Sequence, residues 1–168
     1  MEEKVLRDAT RVNEIINIMT RNIDSHYKIP PLIVGIKTGG IWIAKLITKK
    51  LKWPDPICLD VSFYRDDLWN KGIKTSSQII SEPINFEGKS LLLVDDILWT
   101  GRTVRAALNV LFDFGRPRKV DLAILYDRNG KELPISPTFT GEFLDAPAGY
   151  HFKLRGPMPI TLARIKKH

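Results

Sequence analysis

Residues 91–108 of the chain read LLLVDDILWTGRTVRAAL. The run Leu91 to Val94 is apolar enough for a buried parallel strand, and Asp95 and Asp96 follow it directly. A polar turn over residues 100–103 then leads into apolar residues at helical spacing. The stretch therefore predicts a strand, an acid pair, a turn and a helix, which is a local pattern of parallel α/β sheets.

The turn Thr100-Gly101-Arg102-Thr103 is suited to bind a phosphate group. A helix N-terminus offers free backbone amides, and Gly101 lets the backbone approach a ligand closely. Asp95 and Asp96 could hold sugar hydroxyls beside that phosphate. Neither GxxxxGK[ST] nor GxGxxG occurs, so the pattern differs from those of the P-loop and dinucleotide-binding proteins.

The composition predicts one globular domain spanning residues 1–168, with 43% hydrophobic residues and a single cysteine, Cys58. No apolar run approaches the length of a membrane span, and residues 1–10 lack the apolar segment of a signal peptide. We therefore expect a cytoplasmic protein that does not contact a membrane. The net charge of +7 suits a polyanionic substrate and a nucleic acid equally well.

Strands and helices alternate along most of the chain, which predicts a parallel sheet with ligands at the carboxyl ends of its strands. Apolar periodicity predicts helices from Val12 to Ile23 and from Ile41 to Leu51. Strands are expected at residues 32–36, 57–63, 84–86, 91–94 and 120–126. Beyond Asp127 the sequence is broken by prolines and glycines, and it shows no repeats and no second domain.

Three further loops follow predicted strands. The first, Lys37-Thr38-Gly39-Gly40, could offer backbone amides to a pyrophosphate group. The second begins at Arg65 and runs to Ser81; it is polar and could close over a phosphate-rich substrate. The third is the charged segment that begins with Asp127 and Arg128. Taken alone, each is equally consistent with an ordinary connecting turn.

Together these segments resemble the PyrR family of pyrimidine-operon attenuation proteins and uracil phosphoribosyltransferases. The resemblance lies in LIVGIKTGGIWIAKL, LDVSFYRDDL, LLLVDDILWTGRTVRAALNVLFDFGRP and VDLAILYDRNGKELPI, which span residues 32–135. It implies a type I phosphoribosyltransferase fold, in which helices flank a parallel sheet and a small hood covers the active site. We expect residues of roughly 127–155 and the N-terminal region to form that hood.

The resemblance implies that phosphoribosyl pyrophosphate (PRPP) and uracil react to give UMP and pyrophosphate, with Mg²⁺ held mainly by substrate and water near the acid pair. It assigns Asp95 and Asp96 to the ribose hydroxyls and residues 100–103 to the 5′-phosphate. It assigns residues 37–40 and Arg65 to pyrophosphate, and Asp127 with Arg128 to the uracil edge. A homo-oligomer is also expected. Two alternatives remain: an enzyme for another nucleobase, and a UMP-sensing RNA-binding attenuator with little catalysis.

Several positions depart from the family pattern. Gly39 stands where many relatives have Arg, which removes one cation near pyrophosphate, and the residues after Gly141 do not resemble the studied members. Those members expose Thr, Arg and His on the first helix, and further basic residues beyond the hood, to bind messenger RNA. The corresponding positions here are Val12, Asn13, Ile16, Ser136 and Glu142, whereas Lys131 remains basic. We therefore expect RNA attenuation by the relatives' mechanism to be weak or absent.

Overall fold

The computed structural model describes residues 3–62, 80 and 84–166, and it contains two sheets. The large sheet has five parallel strands in the order β3-β2-β4-β5-β6, and the small sheet has three antiparallel strands in the order β1-β8-β7. The strands are β1 (Glu3–Arg7), β2 (Leu32–Ile36), β3 (Ile57–Leu59), β4 (Ser90–Leu98), β5 (Lys119–Arg128), β6 (Phe139–Leu144), β7 (Tyr150–Arg155) and β8 (Thr161–Lys166). The helices are α1 (Ala9–His26), α2 (Gly39–Leu51) and α3 (Arg102–Asp113).

Apolar side chains cover both faces of the large sheet, as parallel strands require. One cluster joins α1 and α2 to one face, and a second cluster joins α3 to the other. Helix α1 begins at Asp8, whose side chain accepts a hydrogen bond of 2.8 Å from the Arg11 amide. The helix buries the predicted apolar stripe, which consists of Val12, Ile15, Ile16, Met19 and Ile23. The predicted α/β fold with a flanked parallel sheet is confirmed.

Strands β4 and β5 are both longer than predicted, because they pair with each other beyond their apolar runs. Strand β4 continues through the acid pair to Leu98, which pairs with Asp127 of β5. Ladder hydrogen bonds along this pair therefore hold Asp95 and Asp96 within the strand rather than after it.

Other elements differ more. Strand β3 ends at Leu59, short of the predicted limit. Residues 84–86 form no strand; instead Phe86 is fully buried, and its amide donates to the Phe114 carbonyl over 2.9 Å. The predicted hood range also divides between the sheets, because β6 extends the large sheet whereas β7 lies in the small one. Strand β8 in the small sheet lies beyond that range. No helix among the described residues is long and apolar enough to span a membrane.

Candidate active site

A cleft of about 1090 Å³ lies between the carboxyl ends of the large-sheet strands and the small sheet. Parallel strands β2, β4 and β5 deliver their following loops to this edge, where α/β proteins bind ligands. The lining residues from the large-sheet side include Lys37, Thr38, Gly39, Asp60, Asp95, Asp96, Trp99, Thr100, Gly101, Thr103 and Arg128. The small sheet contributes His151, Phe152, Lys153, Leu154 and Ile165.

Two consecutive glycines let the start of α2 lie directly against β4. A Cβ atom at Gly40 would meet the Val94 carbonyl oxygen, and one at Gly39 would overlap the carboxylate of Asp96. The Asp96 side chain therefore occupies the space that a side chain at position 39 would need. The arginine of many relatives at this position could fit here only if Asp96 moved.

Residues 37–40 form a loop that opens into the cleft. The Lys37 amide donates to the Leu59 carbonyl over 2.8 Å, and the Lys37 ammonium lies 3.4 Å from Asp60. The Lys37–Thr38 peptide bond is cis. The hydrogen bond from the Lys37 amide to Leu59, at the end of β3, fixes the loop beside the acid pair. The Lys37 ammonium can meet a phosphate oxygen there.

The two acids are held by backbone amides. Asp95 is 5% exposed, and its Oδ1 accepts 2.9 Å from the Asp96 amide. Asp96 Oδ1 accepts 2.8 Å from the Ile97 amide. Both carboxylates line the cleft, so an oxygen-rich ligand such as a sugar can meet two fixed acceptors there.

The turn before α3 leaves the helix N-terminus open. Gly101 has φ of 90°, a left-handed conformation that favours glycine, and it has no side chain to cap the helix. The Thr100 hydroxyl accepts 3.3 Å from the Arg102 amide. The Thr100 carbonyl accepts from the amides of Glu132 and Leu133 over 3.0 and 3.2 Å. The segment after β5 thus holds the turn in place through these two hydrogen bonds. The backbone amides at the start of α3 remain available to an anion in the cleft.

Arg128, the last residue of β5, lies where the large sheet meets the small one. Its guanidinium carbon lies 4.5 Å from the ring centroid of Trp99 and 5.1 Å from that of Phe152. The residue is 7% exposed, and its Nε finds no hydrogen-bond partner among the described residues. Burial lowers the pKa of Arg128, because desolvation disfavours the charged guanidinium. The Trp99 ring also meets His151 edge-on at 6.2 Å.

Most of the predicted site residues reach the cleft, and three do not line it. Gly40 packs under β4, the exposed Arg102 pairs with Glu132 at 2.9 Å, and Asp127 accepts 2.9 Å from Lys131. Arg65 and the proposed closing segment lie outside the described residues, except for Ile80, which is buried. The sequence interpretation missed the lining residues Trp42, Asp60, Trp99, His151, Phe152 and Lys153. Trp42, Asp60 and Trp99 lay within the quoted family stretches but were assigned no role, whereas residues 151–153 lay outside those stretches.

The comparisons with known proteins agree with this geometry. The family profile of the phosphoribosyl transferase domain matches residues 4–145. A hypoxanthine phosphoribosyltransferase from Staphylococcus aureus has a TM-score of 0.65 at 21% identity, covering 84% of this chain and 77% of its own. A hypoxanthine-guanine phosphoribosyltransferase from Bacillus anthracis has a TM-score of 0.71 at 15% identity, covering 98% and 100%. The chain is therefore a phosphoribosyltransferase of the type I fold.

The relatives by sequence identify the branch. The bifunctional protein PyrR of Pseudomonas syringae pv. tomato is 43% identical over 154 residues, covering 89% of this chain and 91% of that protein. The PyrR protein of Pseudomonas aeruginosa is 47% identical over 135 residues, covering 80% and 79%. The chain belongs to the PyrR family, which confirms the resemblance in its sequence.

Proposed function

We propose that this protein is a uracil phosphoribosyltransferase, which transfers the phosphoribosyl group of PRPP to N1 of uracil. The C1′–oxygen bond to pyrophosphate breaks, a C1′–N1 bond forms, and the N1 proton leaves the base. The observation that carries the choice of base is Arg128, a largely buried cation that lines the cleft.

A largely desolvated cation is stabilised by an acceptor that hydrogen-bonds to it. A carbonyl oxygen of a bound base would supply such an acceptor to the guanidinium of Arg128. Uracil presents two carbonyl oxygens, one on each side of N3, whereas adenine presents none. The rings of Trp99 and Phe152 hold the guanidinium between them, so its donors are already oriented before the base binds.

The other side of the cleft suits PRPP. Displacement at C1′ leaves positive charge on the ribose and negative charge on pyrophosphate, so catalysis depends on fixed charges and positioning. Asp95 and Asp96 would hold the ribose hydroxyls and face the developing positive charge. Lys37 would meet pyrophosphate, and the open amides at the start of α3 would hold the 5′-phosphate.

The acid pair also fits Mg²⁺, which prefers oxygen ligands and retains several waters. Among the described residues, no three His, Cys, Asp or Glu side chains lie close enough to hold a metal by themselves. Asp95 and Asp96 would therefore share the ion with substrate oxygens and water. When bound, the ion would neutralise charge on the pyrophosphate leaving group.

A purine substrate is the first alternative. The hypoxanthine phosphoribosyltransferases of Staphylococcus aureus and Bacillus anthracis share the fold at 15–21% identity, and that similarity concerns the fold alone. Hypoxanthine carries one carbonyl oxygen, which could also accept from Arg128, so the nucleobase panel described below has to separate it from uracil.

An RNA-binding regulator is the second alternative. Val12 and Ile16, which stand where studied relatives expose polar and basic residues, are each 1% exposed and pack in the core. Glu142 lies in an ion pair with Arg7 at 2.8 Å, so its charge is compensated by a neighbour. Attenuation through the relatives' surface is therefore proposed to be weak, and the homo-oligomeric state and cytoplasmic location stay predictions.

A nucleobase panel tests the proposal. Purified protein would be given PRPP and Mg²⁺ with uracil, cytosine, hypoxanthine, guanine or adenine, and pyrophosphate release would be followed. We expect uracil to react fastest. The Asp96→Asn variant, purified in the same way, controls for host enzymes that co-purify. Faster turnover of any purine would overturn the assignment of the base, and UMP binding without turnover would favour the sensor.

A further inference from the structure

The first residues of β7 lie beside the proposed base site. Strand β7 is an edge strand of the small sheet. His151 meets the Trp99 ring edge-on at 6.2 Å, and the ring centroid of Phe152 lies 5.1 Å from the guanidinium carbon of Arg128. Trp99 follows β4 and Arg128 ends β5, so this end of β7 borders the carboxyl ends of both strands.

The residues just after β7 reach the other side of the cleft. A Cβ atom at Gly156 would lie 2.6 Å from Cε3 of Trp42, so the backbone there packs directly on the indole ring. Trp42 lies in the first turn of α2, next to residues 37–40, which we propose for pyrophosphate. Strand β7 therefore crosses the cleft from the proposed base site to the proposed pyrophosphate site.

Lys153 lies in the middle of this crossing. It is two residues from His151, so both side chains leave the same face of the strand, and both line the cleft. At about 3.3 Å per residue, the Cα of Lys153 stands roughly 10 Å along the strand from that of Gly156. The flexible four-carbon side chain of Lys153 can therefore extend toward the loop at residues 37–40.

The charges around the cleft leave the ammonium of Lys153 available. Among the described residues, the carboxylates that line the cleft are those of Asp60, Asp95 and Asp96. The ammonium of Lys37 lies 3.4 Å from Asp60, so part of its charge is already compensated. Lys153 is exposed and forms no salt bridge within the part of the chain that the structure describes.

The exposed carboxylate of Glu3 does not account for Lys153. Arg155 donates to both carboxylate oxygens of Glu3, over 2.9 and 2.6 Å. This hydrogen bonding, and to a smaller degree the charge of Lys153, lowers the pKa of Glu3. Because Arg155 already holds Glu3, the charge of Lys153 can serve a ligand in the cleft.

We propose that Lys153 binds the pyrophosphate group of PRPP from the small-sheet wall of the cleft, opposite Lys37. Pyrophosphate gains negative charge as the C1′–oxygen bond breaks, and a fixed cation beside it stabilises that charge. A lysine ammonium offers three donors on a flexible stem, which suits a group that must leave after the reaction. Gly39 brings no charge to the loop, so Lys153 supplies a cation from the opposite wall. The inference rests on the proposed function, because it adds a binding residue to the same cleft.

The test uses the full chain and three variants. Lys153→Met removes the charge, and Lys153→Arg keeps it. Lys4→Met, the control, removes another exposed lysine of the small sheet, one that does not line the cleft. With Mg²⁺ present and no nucleobase, each protein is titrated calorimetrically with pyrophosphate and, separately, with ribose 5-phosphate. Ribose 5-phosphate carries the 5′-phosphate alone, so it separates the two phosphate sites, and steady-state rates then give the KM values for PRPP and uracil.

We expect Lys153→Met to weaken pyrophosphate binding about tenfold, because one charge-assisted hydrogen bond in an exposed site is lost. The KM for PRPP should rise by a similar factor, while the affinity for ribose 5-phosphate and the KM for uracil stay at native values. The difference from the native protein should shrink between about 50 and 500 mM salt, since salt screens an exposed charge. Lys153→Arg should restore most of the affinity, and Lys4→Met should bind as the native protein does.

Unchanged pyrophosphate affinity in Lys153→Met, or an equal loss in Lys4→Met, would overturn the inference. A loss confined to ribose 5-phosphate would also overturn it, by placing Lys153 at the 5′-phosphate. Failure of Lys153→Arg to restore binding would give Lys153 a structural role instead. The titrations contain no nucleobase, so their result is the same whichever base the enzyme accepts, and the nucleobase panel alone decides that assignment.

Discussion

The two walls of the cleft are built in different ways. The wall that we propose for PRPP consists of strand ends and tight turns of the large sheet, where Gly39 packs against the Asp96 carboxylate and the acids accept from backbone amides. The wall that we propose for the base consists of one residue of β5 and side chains of β7, which come from distant parts of the chain. On this proposal the common chemistry is held by local geometry, whereas the choice of base depends on tertiary packing.

The largest loss should follow a change in the PRPP wall. Asp95→Asn and Asp96→Asn each remove a charge beside the ribose, where positive charge develops. An interaction of this kind is commonly worth about 3 kcal/mol, so kcat/KM for PRPP should fall about a hundredfold. The KM for uracil should change little. Native kinetics in both variants would show that the acids do not face the ribose.

Gly39→Ala should have the next largest effect, because its Cβ would displace the Asp96 carboxylate. We expect kcat to fall on the order of tenfold, since small misplacements of catalytic groups are costly. A double-mutant cycle with Asp96→Ala measures the coupling between positions 39 and 96. In the Asp96→Ala background, Gly39→Ala should lower kcat only slightly. An undiminished loss of kcat in that background would show that Gly39→Ala does not act through Asp96.

Arg128→Met tests the base wall. It keeps a long side chain between Trp99 and Phe152 but removes the donors. The KM for uracil should rise about tenfold while the KM for PRPP stays the same, because an unpaired base oxygen costs roughly 1–2 kcal/mol. Arg21→Met, an exposed change on α1, is the control. A parallel rise in both KM values would mean that the two walls do not act separately.

A smaller effect is expected where the sheets are joined. Arg7 at the end of β1 donates to Glu142 on β6 over 2.8 and 3.2 Å, and this hydrogen bond raises the pKa of Arg7. Glu142→Gln should lower the free energy of unfolding by about 1 kcal/mol, as measured by urea denaturation. Glu3→Gln removes the exposed pair with Arg155 and should leave stability unchanged. Equal losses of unfolding free energy in the two variants would show that the Arg7–Glu142 pair does not stabilise the protein more than the exposed pair does.

The contrast between the walls also explains what the sequence predicted. The apolar run before Asp95, the periodicity of α1 and the turn at Gly101 are local signals, and each led to the observed element. Strand β4 was predicted too short, because its extension depends on pairing with β5 and not on hydrophobicity.

The small sheet carried a strand signal but no signal of its place. Residues 150–155 alternate apolar and polar side chains, which is typical of a strand, but only pairing between distant segments reveals that Phe152 and His151 border the cleft. Arg128 was predicted to meet the base, but its burial between Trp99 and Phe152 was not. Such contacts arise from tertiary packing, which a single sequence does not display.

The pairing of β1 with β8 has a consequence for the order of folding. Glu3 pairs with Ile165, whereas Ser90 of β4 pairs with Lys119, much nearer along the chain. Closing the longer loop costs more entropy, so the large sheet should form first and the small sheet last. The same strands should open first in the native protein, and the amides of β1, β7 and β8 should exchange hydrogen faster than those of β4 and β5. The sheet that contributes Phe152 to the proposed base wall is then also the last part to be assembled.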